Sequence, residues 1–261
     1  MALLEVRDIV VRFGGVTAVG GVSFDVGERQ ICGLIGPNGA GKTTLFNVIS
    51  GIYRPNEGSV RFAGTDTTAL PRYRMAPLGI GRTFQNLALF RSMSVRENIL
   101  AGAHPSGHSG FLANALRLPR ARAEERAARS RAEELIALLD LDAVADTLVS
   151  DLPFGTQKRV EMARALISKP RLLLLDEPAG GLNHGEVDEL AELFQQVRQM
   201  FDLSILLVEH HMSLVMRVSD KVVALDFGKK IADGTPYEVR NSPDVIRAYL
   251  GDGHAEPAHA A

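Results

Sequence analysis

The feature that most constrains this chain is a glycine-rich octapeptide, GPNGAGKT, at residues 36–43. It fits the pattern G-x-x-x-x-G-K-[ST], in which small residues let the backbone curl so that successive N–H groups point at phosphate oxygens. A short apolar segment, residues 31–35, precedes the motif, and a helical segment, residues 42–49, follows it. Because the motif requires this strand–loop–helix context, we predict a nucleoside triphosphate site. In it, Lys42 contacts the β- and γ-phosphates and Thr43 offers its hydroxyl to Mg²⁺.

The composition excludes several other classes of protein. The 261 residues carry a formal net charge of −2, whereas a dedicated nucleic-acid-binding protein usually has a strongly basic domain. The single cysteine, Cys32, is too little for an internal disulfide or a cysteine-based zinc site. No apolar stretch approaches the ~20 residues of a membrane span, and no Lys/Arg-led apolar segment opens the sequence. We therefore expect a soluble, cytoplasmic chain that binds no nucleic acid.

Strand-like and helix-like segments alternate in two parts of the chain. Strands are predicted at residues 3–11, 22–26, 31–35, 59–62, 172–175, 204–208 and 221–225, with a helix at 186–201 among the later ones. This alternation is typical of an α/β fold with a parallel sheet covered by helices. We predict one domain, residues 1–251, whose core combines residues 1–85 and 153–250. A helical insert occupies residues 86–152, and residues 252–261 form a frayed tail.

Acidic residues and a histidine follow two of the predicted strands. Asp176 and Glu177 come directly after four leucines, and His210 follows the apolar segment 204–208. Asp176 is expected to hold Mg²⁺ through its water shell, and Glu177 to orient or deprotonate the attacking water. His210 could donate to the γ-phosphate or fix that water. The alternatives are an acidic turn before Pro178 and a histidine with only a surface or core role.

A third motif, LPFGTQ at residues 152–157, opens a predicted helix at 158–167. With it, the sequence resembles the ATP-binding cassette ATPases of membrane transporters, over nearly the whole chain. The resemblance implies a P-loop NTPase core with a mixed sheet, an N-terminal antiparallel β region and a helical insert. It also implies that Gly155 and Thr156 reach the γ-phosphate bound to a partner subunit, so that two ATP molecules are enclosed in a head-to-tail dimer. The partner would be an identical chain or a second ATPase of the same family.

Departures from the family's L-S-G-G-Q signature narrow the resemblance. Pro153, Phe154 and Thr156 replace the usual Ser, Gly and Gln, which leaves Gly155 as the main expected contact to the partner's nucleotide. The L-P-[YF]-G form is similar to that of the branched-chain amino acid importers, as is the C-terminal stretch from 234 to 251. Asn183 replaces the usual Asp of the dimer-contact loop, and this weakens any charge-assisted contact there.

The resemblance also assigns roles to single residues. Phe13 would stack on adenine, supported by Val19; the alternative is a core strand residue. Gln85 would touch Mg²⁺ or water and sense a transmembrane partner, and residues 85–99 would form the surface for that partner, with Ser94 and Glu97 as a capping box. The expected catalytic residues are Lys42, Gln85, Glu177 and His210, and the expected metal-binding residues are Thr43, Gln85 and Asp176. The expected nucleotide-binding residues are Phe13, Val19, Gly36, Pro37, Asn38, Gly39, Ala40, Gly41, Lys42, Thr43, Thr44, Gly155 and Thr156.

These patterns together predict a Mg²⁺-dependent ATPase subunit that powers import of branched-chain or related amino acids. It would sit peripherally on the inner face of the membrane, on separate permease subunits, and depend indirectly on a solute-binding protein. The alternatives are the ATPase of a lipopolysaccharide-export system and a cassette ATPase that acts in DNA repair or on ribosomes. A P-loop kinase or GTPase is a further alternative, but it gives no reason for the 152–157 motif.

Overall fold

The structure, a computed structural model, describes residues 2–83, 88–103 and 119–250. Its strands alternate with helices along most of this part of the chain. The strands are β1 (Ala2–Phe13), β2 (Val16–Gly27), β3 (Ile31–Ile35), β4 (Glu57–Phe62), β5 (Thr65–Asp66), β6 (Ile80–Arg82), β7 (Leu172–Asp176), β8 (Ser204–Val208), β9 (Lys221–Asp226) and β10 (Lys229–Gly234).

Helices precede, occupy and follow the long stretch of sequence between β6 and β7. They are α1 (Lys42–Ile49), α2 (Met75–Leu78), α3 (Val95–Ala101), α4 (Pro119–Leu138), α5 (Phe154–Leu166), α6 (His184–Phe201), α7 (Met212–Val218), α8 (Pro236–Arg240) and α9 (Pro243–Leu250). None of the helices in the described ranges combines the length and the apolar composition that a membrane span requires.

The central layer is a six-stranded sheet with the order β10-β9-β3-β8-β7-β6. Strands β9, β3, β8, β7 and β6 are parallel, and β10 pairs with β9 antiparallel. The predicted α/β class with a mixed sheet is thus confirmed. Because the carboxyl ends of parallel neighbours meet at one edge, the segments after β3, β8 and β7 lie side by side.

A second, antiparallel sheet with the order β2-β1-β4-β5 forms the predicted N-terminal β region. It shares a hydrophobic core with α1 and with one face of the central sheet. The central strands alternate strictly between two cores: in β7, Leu172 and Leu174 face this one, whereas Leu173 and Leu175 face the other. A run of leucines buried on both faces thus places the residue after it, Asp176, at the edge of the sheet.

The region predicted as a helical insert contains α3, α4 and two short 3₁₀ turns in its described part. Their apolar faces pack with α5 and α6 in the second core. Ser94 caps α3 and Glu97 completes a capping box, as predicted. Two arginines of α4 are paired with acids, Arg129 with Glu125 at 2.8 Å and Arg131 with Glu134 at 3.3 Å, which agrees with a solvated face rather than a nucleic-acid surface. The insert's limits as a domain remain a prediction.

The sequence-based prediction gave too few strands and made two of them too short. Strands β1 and β2 are longer than predicted because each pairs with the other along most of its length. Strands β6 and β10 were not predicted; β6 has three residues and β10 contains mainly charged residues and glycine. Strand β6 forms by pairing with β7, which is distant in sequence, and β10 forms by pairing with β9. The composition of β6 and β10 alone therefore does not predict a strand.

Candidate functional site

The loop that joins β3 to α1 contains glycines in backbone conformations that other residues rarely adopt. Gly36, Gly39 and Gly41 have φ values of +151°, +82° and +96°. A Cβ at Gly36 would lie 2.3 Å from the Leu225 carbonyl oxygen, and one at Gly41 would lie 2.6 Å from that of Ala18. Both ends of the loop are therefore held against neighbouring backbone. A Cβ at Gly39 would meet no atom within 4 Å, so the middle of the loop is open to a ligand.

Replacing Gly36 with alanine should lower the free energy of unfolding by about 3 kcal/mol, because backbone strain and a steric overlap with Leu225 act together. Gly15→Ala is the matched control, since a Cβ there meets no atom within 4 Å. Thermal unfolding without nucleotide measures both variants. Equal melting temperatures for the two would contradict this account of the loop.

The N-termini of α1 and α5 lack side-chain caps. Gly41 and Pro153 occupy the cap positions, no side chain accepts from the first turn, and neither first turn contains an acidic residue. By contrast, α3, α6 and α8 each begin with a complete capping box. Free N–H groups and the positive end of the helix dipole favour an anion at such an end. The two helices that the sequence motifs assign to phosphates are therefore left available for them.

Lys42 is folded back into the loop. Its side chain is buried, and Nζ donates to the carbonyl oxygens of Gly36 (2.7 Å) and Pro37 (3.0 Å). Burial lowers the pKa of Lys42, while the charges of Glu177 and Asp176 raise it. The ammonium group is thus held in a desolvated position beside the two carboxylates. Thr43, the next residue, is exposed.

Asp176 ends β7 with its side chain almost completely buried. Burial raises the pKa of Asp176, and the guanidinium of Arg82, with Nη2 3.5 Å from Oδ2, lowers it. Arg82 was not predicted from the sequence. It also donates to the Ser50 hydroxyl and lies over the Phe46 ring at 4.6 Å, so it connects the end of β7 to helix α1.

Glu177 and His210 lie next to each other at the same edge of the sheet. His210 Nδ1 is 4.0 Å from Glu177 Oε1, and half of the His210 side chain is exposed. The Glu177 backbone has φ +47°, a conformation that costs free energy for a residue other than glycine. Its N–H donates to the Val208 carbonyl at 2.8 Å, which ties it to the end of β8. Lys42, Asp176, Glu177 and His210, predicted from separate motifs, are thus brought together.

Phe13 and Val19 occupy different environments. Phe13, at the end of β1, is 49% exposed, while Val19 is fully buried beside the phosphate loop: a Cβ at Gly41 would lie 3.4 Å from its Cγ2. Tyr53, which the sequence did not single out, packs edge-on against Phe13 with ring centroids 5.4 Å apart. Two exposed aromatic rings therefore form a surface suited to stacking on a planar base.

The LPFGTQ motif begins α5 earlier than predicted. Pro153 is the N-cap and the helix starts at Phe154 rather than at residue 158, because proline fits the start of a helix, where an N–H has no intrahelical partner. A Cβ at Gly155 would lie 3.0 Å from Glu186 Oε1, and one at Gly181 would lie 3.0 Å from the Phe154 ring. Gly155 thus packs against the start of α6 rather than on the phosphate loop of its own chain.

Two further predicted positions have different outcomes. Asn183 caps α6, with Oδ1 accepting from Glu186 N–H at 3.0 Å, so its side chain has a structural role within the chain. Gln85 lies outside the described residues, so its contacts with metal and with a partner stay predictions.

The donor set fits Mg²⁺. The exposed hydroxyl of Thr43 and the buried carboxylate of Asp176 are hard oxygen ligands, which this ion prefers. Burial raises the pKa of Asp176 and the neighbouring cation Arg82 offsets only part of that rise, so a bound cation would add the charge that this carboxylate lacks. The only cysteine, Cys32, is buried, and burial raises the pKa of its thiol to about 12, so it adds no nucleophile.

Comparisons with known proteins agree with this geometry. A sequence model of the family described as "ABC transporter" matches residues 19–180, and one described as "Branched-chain amino acid ATP-binding cassette transporter" matches residues 229–255. A relative from Pseudomonas aeruginosa, the high-affinity branched-chain amino acid transport ATP-binding protein BraF, is 43% identical over 250 residues. The corresponding protein LivG of Escherichia coli is 42% identical over 250 residues. Each alignment covers 96% of this chain and 98% of the relative.

Solved structures support the same comparison. The chain is similar, with a TM-score of 0.83 and 30% sequence identity, to the ADP conformation of an ATP-binding cassette of an ABC transporter. The match covers 97% of this chain and 100% of that one. A nucleotide-free cassette from an ABC transporter matches with the same TM-score and coverage.

Proposed function

This chain belongs to the ATP-binding cassette family of transporter ATPases, and on that basis we propose that it powers the import of branched-chain or related amino acids. The observation that carries the amino-acid class is the match of residues 229–255 to the branched-chain family, together with near-full-length relatives described as branched-chain amino acid transport ATP-binding proteins. The lipopolysaccharide-export and non-transport alternatives are not favoured by these relatives.

Hydrolysis follows from the residues gathered at the edge of the central sheet. The phosphate loop and the free N–H groups of α1 bind the triphosphate, and Lys42 exchanges its loop carbonyl partners for phosphate oxygens. Glu177 orients and deprotonates the attacking water, and His210, 4.0 Å away, donates to the γ-phosphate. Thr43, Asp176 and Gln85 would hold Mg²⁺, which would supply charge neutralisation for the triphosphate.

The base-binding surface and the opposite subunit complete the proposed site. Phe13 stacks on adenine, and the Tyr53 ring, which packs edge-on against the Phe13 ring, holds Phe13 in position. Gly155 and Thr156 line a surface pocket together with residues of α4, α5 and α6, and the uncapped start of α5 has N–H groups to offer. We infer that they reach the nucleotide of a second ATP-binding subunit, identical or different, in a head-to-tail dimer. ATP favours that dimer because it contacts both subunits only when they are closed.

We propose that the transmembrane permease subunits attach to the face between β6 and the helices α3 and α5. A groove of about 300 Å³ lies there, lined by residues that include Arg72, Met75, Arg82 and Arg164. The aromatic ring of Phe90 is 51% exposed beside it, with the Arg164 guanidinium 5.9 Å from its centroid. This face would receive an element of the permease at the cytoplasmic side of the membrane. A solute-binding protein on the opposite side of the membrane would supply the amino acid.

Uptake of radiolabelled leucine, isoleucine and valine by cells that lack this gene tests the proposal. We expect uptake at micromolar solute to be lost, to return with the wild-type gene and not to return with Lys42→Ala. Uptake of an amino acid outside this class, such as glutamate, is the control. Normal branched-chain uptake without the gene would contradict the proposed substrate class.

A further inference from the structure

Glu209, the residue between β8 and His210, is a fully buried carboxylate outside the set of residues that the motifs assign. Across the residues that the structure describes, it forms no ion pair with a lysine or an arginine; the nearest cationic candidate is His210, with Nδ1 3.9 Å from Oε2. A buried carboxylate without such a partner must be stabilised in another way, because desolvation of its charge is costly.

Backbone N–H groups of two separate loops provide that stabilisation. Ala179 N–H donates to Oε1 at 2.7 Å, while the N–H groups of His210 and His211 donate to Oε2 at 3.1 and 3.3 Å. One carboxylate thus connects the loop after β7 to the loop after β8. An ionised carboxylate suits this arrangement because both of its oxygens only accept, and bonds to a charged acceptor are strong.

The loop after β7 contains the strained backbone of Glu177. Two backbone hydrogen bonds hold that residue, Glu177 N–H to Val208 O (2.8 Å) and Gly180 N–H to Glu177 O (3.1 Å). The Glu209 contact fixes Ala179, which lies between Glu177 and Gly180 in sequence. A strained conformation persists only where its surroundings over-determine it. Glu209 therefore restrains the backbone on the C-terminal side of Glu177 and, at the same time, the backbone of His210.

We propose that Glu209 is a positioning residue that fixes the Glu177 carboxylate relative to the His210 imidazole and so sets the rate of hydrolysis. The inference rests on the proposed ATPase function. It assigns no contact between Glu209 and nucleotide, because its carboxylate is fully buried and both of its oxygens accept from backbone N–H groups. The effect of Glu209 on the reaction passes through the two loops that it connects.

Glu209→Gln tests the proposal, since the side chain keeps its shape while one oxygen becomes an NH₂ group that faces N–H donors. We expect kcat to fall about 10- to 100-fold, as for a small misplacement of reacting groups, with KM for ATP changed less than about twofold. Glu209→Asp keeps the charge but is one methylene shorter, so it should show a smaller loss of kcat and the same KM. Glu238→Gln, a carboxylate that accepts a backbone N–H in a capping box, is the control and should match wild type.

A double-mutant cycle with His210→Ala separates positioning from a general loss of stability. Under single-turnover conditions, Glu209→Gln should cost less in the His210→Ala background than in wild type, because residues that act through each other are not additive. An unchanged kcat in both Glu209 variants, a rise in KM without a fall in kcat, or fully multiplicative losses would each overturn the proposal. Lack of hydrolysis by the wild-type chain would instead contradict the proposed function.

Discussion

Glu177→Gln should retain ATP while hydrolysing it about 10²- to 10⁴-fold more slowly than wild type. The amide has the shape of the acid, and glutamine is as compatible as glutamate with the φ of +47° at this position. It cannot, however, accept a proton from the attacking water. The two properties are measured separately, as phosphate release in a single turnover and as ATP retained on the protein after rapid filtration.

Glu192→Gln is the matched control for that experiment, since Glu192 pairs with Arg217 on the exposed side of α6. It should hydrolyse ATP at the wild-type rate. Hydrolysis by Glu177→Gln at the rate of this control would show that the water is activated by another group, and the proposed role of Glu177 would be wrong.

Lys42→Ala should lower kcat/KM for ATP by at least about 10²-fold, which corresponds to about 3 kcal/mol of lost transition-state stabilisation. The ammonium group is already held, desolvated, within the loop by two carbonyl oxygens. Phosphate oxygens replace these carbonyl partners around a charge that is already desolvated, and alanine supplies no such charge. Without nucleotide, the melting temperature should change little, because the removed group is a charge that is costly to bury.

The comparison for this variant is Lys229→Ala at the exposed start of β10, which should leave both ATP binding and hydrolysis unchanged. Undiminished ATPase activity in Lys42→Ala would remove the assignment of residues 36–43 as the phosphate loop.

The edge of the central sheet was predictable because its determinants are local. Each of the segments 31–35, 172–175 and 204–208 is a short apolar run followed at once by glycine or polar residues, and a parallel sheet brings such ends together. The structure confirms the strands at these positions. The predicted roles of Lys42, Asp176, Glu177 and His210 remain proposals, although their side chains now have a common location.

The contacts that hold those side chains in place were not predictable, because they join distant parts of the chain. Arg82 meets Ser50 and Asp176, and Glu209 meets Ala179, through side chains whose partners are 30 or more positions away. The Glu209 contact depends on the register of β7 against β8, in which Asp176 pairs with Val208. No periodicity in the sequence expresses that register. The Tyr53 ring beside Phe13 is a further example, since it lies in a loop without a motif.

The most direct test of the account is the composition of the complex formed by the tagged Glu177→Gln chain with Mg-ATP, measured by native mass spectrometry with its membrane subunits. We predict two ATP-binding subunits, this chain with an identical or a different partner, and two retained ATP molecules. With ADP in place of ATP, the two ATP-binding subunits of the same preparation should not close on each other, and the complex should contain no bound ATP. A complex that contains a single ATP-binding subunit when saturated with ATP would contradict a site completed by Gly155 and Thr156 from the opposite chain.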